Sequence, residues 1–176
     1  AETEAIHRKD KAVNQGEREI RRLLVEHLTI NPGQDVSGCL ALMNMAKDAE
    51  RIGDYAKNIF DLSTLVAGKN EKFRHIDSIL AIQKRIAANL HRVRQAFLDS
   101  DEAVSKELLR EYQDIKKDVN AILHGLFDEE MPTPEALTTV LLCRYLKRIN
   151  SHISNVASGI IFPIDKIDFV RGGLLE

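Results

Sequence analysis

This sequence predicts an all-α protein: two packed antiparallel helical bundles related by internal duplication, the first lacking its opening helix. Three observations lead there. Apolar residues recur at three- and four-residue steps through long segments, the stride of an amphipathic helix. Hydrophobic residues make up 44% of the 176, but aromatics only 5% with no Trp, so Ala, Leu, Ile and Val carry the core and favour helix packing over a strand sandwich. A helix–linker–helix pattern also occurs twice.

The first helical segment covers residues 2–29 and stops at "NPGQD", where Pro32 and Gly33 break the chain. The second opens near Asp35 and runs to 65, a rod of roughly 45 Å at the usual rise per residue. Met45, Ala49, Ile52, Ala56, Ile59 and Ser63 form its core stripe, and Ala49, Gly53 and Ala56 are small enough for a close neighbour. Gly53 costs about 1 kcal/mol of helix propensity relative to Ala, which packing or a site is expected to offset. Gly68 and "GKNEK" end this rod.

The third segment spans 73–98, with Asp99 or Ser100 as the cap for a fourth over 102–129. The fifth starts with Thr133 as cap and Pro134 in the first turn, and runs to 161 along Leu142, Leu146, Ile149, Ile153, Val156 and Ile160. Pro163 stops it. The tail from 163 to 176 is too apolar to hang free and is expected to strap back over the first bundle.

The duplication sets the organisation: residues 1–68 form an incomplete first repeat and 69–162 a three-helix second repeat. "EIRRLLVEHL" leads through a Pro-containing linker to "AERIGDYAKNI"; "DVNAILHGLF" leads through "DEEMPTP" to "LKRINSHISNV". Lys47, Arg51, Ile52, Asn58 and Ile59 thereby correspond to Arg144, Arg148, Ile149, Asn155 and Val156. The first unit lacks the helix that Phe73–Leu98 supplies to the second, so it stands incomplete or a partner segment completes it.

Charge and composition exclude several classes. With 25 basic and 27 acidic residues, a net charge of -2 and no basic stripe, the chain is no nucleic-acid binder. Arg18, Arg21 and Arg22 read as an ordinary charged face. Cys39 and Cys143 stand alone in apolar helical contexts, unlike a zinc ribbon or redox pair. No apolar run reaches the length of about 18 residues that crosses a membrane, so this segment inserts in none directly. No nucleophile elbow, Walker loop or dinucleotide fingerprint occurs, and a single Glu4–His7 pair is too few donors for a di-iron bundle. The chain starts without Met inside a helical pattern and reads as a processed or excised piece of a longer protein.

Glu50 and Asp54 are one helical turn apart, with Asn58 another turn on and Asp61 near the same face. Two carboxylates so placed repel unless a cation lies between them: an arginine, a lysine or an oxygen-seeking metal ion. "AKDAERIGDYAKNI" resembles the signature of the PhoU family of phosphate-transport regulators, through Asp48, Glu50, Arg51, Ile52, Gly53, Asp54, Tyr55, Ala56, Asn58 and Ile59. The resemblance runs over nearly the whole chain. It implies an all-helical, non-catalytic cytoplasmic regulator with one acidic motif on each of two three-helix bundles. It further implies iron, manganese or zinc at Glu50, Asp54 and Asp61, and contacts with a phosphate transporter component, a sensor kinase, or a second copy in a homodimer.

The second copy departs from that signature, with Lys147 and Ser151 where Glu and Asp are expected. Arg144, Lys147 and Arg148 instead form a positive turn for an acidic partner or an anion. The resemblance also permits a cytoplasmic regulatory domain of a sodium–phosphate or related ion carrier. A third reading is a metal-free helical scaffold in which Glu50 and Asp54 only pair with basic side chains.

Overall fold

The computed structural model describes residues 2–67 and 73–164, and among them every regular element is an α-helix. Five helices follow one another: α1 (Glu2–Ile30), α2 (Val36–Val66), α3 (Ile76–Asp99), α4 (Glu102–Gly125) and α5 (Thr133–Ile161). The repeat boundary at Gly68 and the strap expected of the tail beyond Ile164 fall outside the described residues.

Helix α5 is the hub. It packs on α2, α3 and α4, whereas α1 packs on α2. The second repeat is thus a three-helix bundle, α3–α4–α5, and the first is a two-helix hairpin laid against it through α2. Ile79, Ile82, Ile86 and Val93 of α3, Leu108, Leu109, Ile115 and Val119 of α4, and Cys143, Leu146, Ile149, Ile153 and Ala157 of α5 make one continuous core. From α2, Ile52 joins this core, with Tyr55 and Ile59 packed at its edge. Burial pushes the Cys143 thiol up to about 11, so it stays protonated near neutrality and behaves as a small apolar side chain.

Local chemistry sets the helix ends, with some differences from the sequence expectation. The cap of α4 is Asp101, whose carboxylate accepts from the Val104 N–H at 3.0 Å. Ser100, one residue earlier, sits at φ 53° and closes α3 as a left-handed C-cap. Thr133 lies inside α5, which starts after Pro132 with no side-chain cap, and places Pro134 in the first turn where its missing N–H costs nothing. Helix α4 stops at Gly125 instead of running to 129, leaving Glu129 free to fold back on α3. There Arg74 and His75 both reach the Glu129 carboxylate, at 2.9 and 3.2 Å, while the Arg74 backbone N–H donates to Glu135 at 2.7 Å.

The apolar stripe of α2 is real but half uncovered. Met45 and Ile52 are buried; Ala49, Ala56 and Ser63 are exposed. Ala49 and Ala56 line a cavity of about 510 Å³ between α1, α2 and α3, together with Val13, Ile20, Met45 and Phe97. No described helix fills that groove, and Ile20, Leu42, Leu90 and Phe97 along it remain exposed.

Candidate functional site

Both motif helices, α2 and α5, meet at the centre of the molecule, and the pairing is antiparallel. Asp48 in the first half of α2 meets His152 in the second half of α5, at 2.7 Å from the imidazole Nδ1. The same Asp48 oxygen accepts from the Asn155 amide at 3.0 Å. Tyr55, further along α2, stacks on the His152 ring at 5.8 Å between centroids and lies 6.1 Å from the Tyr145 ring. The repeat correspondence carries Asp48 onto Tyr145 and Tyr55 onto His152, so these contacts are related by an approximate two-fold through the α2–α5 interface. Asp48 is 7% exposed, so its two partners supply hydrogen bonds that water would otherwise give.

Sequence reasoning placed Asp48 in the signature and did not join it to His152 on the second motif helix. Structure joins them. The signal was present in the repeat correspondence, which sets Asp48 and Tyr55 opposite each other's counterparts once the two helices are packed antiparallel.

On the outer side of α2 lies the acidic motif itself. Glu50 is 9% exposed; its Oε2 receives the Lys47 ammonium at 2.7 Å and lies 3.7 Å from the Arg51 Nε. Lys47 also approaches Glu17 of α1 at 3.6 Å, tying the hairpin together. Asp54 accepts from the Arg51 guanidinium at 3.1 Å. The like-charge problem posed by two carboxylates one turn apart is therefore met by cations of the same helix. Asp61 is half-buried and two turns beyond Asp54, about 10 Å along the axis. Among the described residues no three His, Cys, Asp or Glu side chains gather as a metal-holding group. Glu50 and Asp54 alone provide two carboxylates, at most four oxygens, short of the roughly six or more that an oxygen-liganded cation takes; the remaining donors would have to come from a bound partner.

On α5 the equivalent turn is basic. Arg144, Lys147, Arg148 and Ser151 line one side of a cavity of about 440 Å³, closed by Leu123 of α4 and Val140. Lys147 is steadied by the Asn120 side-chain oxygen at 2.9 Å, and Ser151 donates back to the Lys147 carbonyl at 3.0 Å.

Residues 1–62, which hold α1 and nearly all of α2 with its acidic motif, match the PhoU domain. A phosphate-specific transport system accessory protein PhoU homolog from Clostridium acetobutylicum is 23% identical over 175 residues, covering 92% of this chain and 76% of that protein. Over residues 1–62 the chain is therefore similar to the PhoU domain. Its fold is also that of the phosphate transport system regulatory protein PhoU from Streptococcus pneumoniae, whose crystal structure superposes with a TM-score of 0.78 at 19% identity, over 90% of this chain and 77% of that one. Compared with α2, α5 keeps an arginine at Arg148, an isoleucine at Ile149 and an asparagine at Asn155, but carries Lys147 and Ser151 in place of Glu50 and Asp54.

Proposed function

We propose that this protein is a non-catalytic regulator of phosphate transport and of phosphate-responsive signalling, acting through contacts with other proteins. The observation that carries this reading is the PhoU domain match over the repeat that holds the acidic motif. The accessory role named for the Clostridium relative supports it. No described helix is long and apolar enough to cross a membrane, which suits a cytoplasmic protein that reaches the membrane through a transporter.

In this reading residues 1–68 and 69–162 are the two repeats, and the partner is a phosphate transporter component or a sensor kinase. Arg144, Lys147 and Arg148 are the charged part of its docking surface. A homodimer is a further form of the same association: the uncovered apolar groove is a surface that a second copy would shield from water. The test is capture of tagged protein from phosphate-replete and phosphate-starved cells. Recovery of a transporter or kinase component in one condition, and its loss with Arg148→Glu, is the expected result; recovery of neither in both conditions overturns it.

A metal-linked form of this function places iron, manganese or zinc at Glu50 and Asp54, with Asp61 nearby and the missing donors supplied by the partner. The ion pairs Lys47–Glu50 and Arg51–Asp54 favour the metal-free alternative, in which the motif is a self-neutralised docking face. Elemental analysis of chelator-free, untagged protein, alone and with captured partner, separates the two. Stoichiometric metal lost in both Glu50→Ala and Asp54→Ala supports the linked form.

A further inference from the structure

The two motif helices hold equivalent places and opposite charge. In α2, Lys47 and Arg51 are each matched by an acid, Glu50 at 2.7 Å and Asp54 at 3.1 Å. The correspondence that carries Lys47 onto Arg144 carries Glu50 onto Lys147, Arg51 onto Arg148 and Asp54 onto Ser151. Both cations survive in α5, and both acids are gone, one of them reversed in sign. A neutral turn in one repeat has become a turn of three positive charges in the other.

Like charges one turn apart on a helix repel and are ordinarily relieved by acids nearby. Here no described carboxylate pairs with Arg144, Lys147 or Arg148: Lys147 has a neutral amide oxygen at 2.9 Å, and Arg144 and Arg148 are exposed. The turn is also concave. It lines a cavity of about 440 Å³, within the range of small-molecule sites, with Leu123 and Val140 as an apolar wall beside the cations. Three cations exceed what one carboxylate neutralises and match a dianion; guanidinium forks bind phosphoryl oxygens in pairs, and an ammonium adds a mobile point charge.

We propose that this cavity is a binding site for a phosphoryl dianion, contributed either by free inorganic phosphate or by a small phosphate ester. Arg144 and Arg148 grip its oxygens and Lys147 approaches from the Asn120 side. Ser151 takes part by leaving the turn without the negative charge that Asp54 gives its counterpart. An ester would lay its organic body on Leu123 and Val140. The site uses the turn assigned above to partner docking but needs no partner, so the isolated chain tests it.

The experiment is isothermal titration of the purified chain with inorganic phosphate in one arm and ADP in another, at about 0.15 M salt so that loose counterion attraction is screened. Sulfate, with the same shape and charge, is the third arm. The comparison protein is Lys147→Glu with Ser151→Asp, which restores the α2 pattern; Arg148→Gln, at an exposed position, serves if the double variant loses its helical circular dichroism. Saturable binding of phosphate or ADP, weakened at least about tenfold by the variant, is expected from loss of charge-assisted bonds. Comparable affinity for phosphate and ADP names free phosphate as the ligand, and a preference for ADP names the ester. Binding that is undetectable, equal for sulfate, or unmoved by the variants overturns the proposal while leaving partner capture to be judged by its own result.

Discussion

Asp48 is a buried polar residue whose removal has a foreseeable cost. It is a buried acceptor for two donors on another helix, and a methyl group in its place leaves both His152 and Asn155 without their partner. Asp48→Ala is expected to lower stability by about 1–3 kcal/mol, seen as a lower urea midpoint at unchanged slope. Gly53 points the other way. A Cβ built there meets the Val13 side chain at 3.6 Å, an ordinary contact, so close packing does not require the glycine. Gly53→Ala is expected to raise stability by about 1 kcal/mol in the same assay. A gain of that size would also show that the glycine is retained for something other than stability.

The junction between α3 and the α4–α5 connection is held by charge. The Arg74 hydrogen bond, and after it that from His75, holds the Glu129 carboxyl below its ordinary value of 4.5. A carboxylate with a depressed folded value contributes stability that is present above 4.5 and lost as pH falls through the folded value. Acid titration should therefore loosen the start of α3 in that window. Glu129→Gln should flatten that limb of the stability–pH curve while leaving the region above it parallel to the parent. A variant curve that keeps the full acid limb would remove Glu129 from the account. Solvent screening keeps the effect modest, because this pair lies at the surface.

Taken whole, the molecule is unevenly built. Helix α5 is sheathed by three others, whereas α1 rests on α2 and keeps Val13, Ile20, Leu23, Val25 and Ile30 exposed. Amide exchange should follow this gradient, fast along α1 and slowest in the middle of α5, because local opening of α1 exposes little new apolar surface. Equal protection of α1 and α5 in dilute protein would mean that the groove is covered, and a dependence on protein concentration would name a second copy as the cover. The groove, of about 510 Å³, is lined almost entirely by apolar side chains.

Helical stride, linker chemistry and internal repetition were sufficient to read the helices and their order, because amphipathic period and Pro/Gly breaks are local properties of the chain. The repeat correspondence likewise made visible the charge reversal at Lys147 and Ser151 before any packing was known. Which stripes are covered was not legible: Ala49, Ala56 and Ser63 have the period of a core, but period reports a face and not what lies against it. The Asp48–His152–Asn155 contact and the approach of Lys47 to Glu17 depend on how helices far apart in sequence cross. Sequence by itself determined the helices, their repeated pattern and the charges they carry, including the pairs one turn apart on α2; tertiary structure decided which groups of different helices meet, because such contacts require two segments to be brought within hydrogen-bond distance.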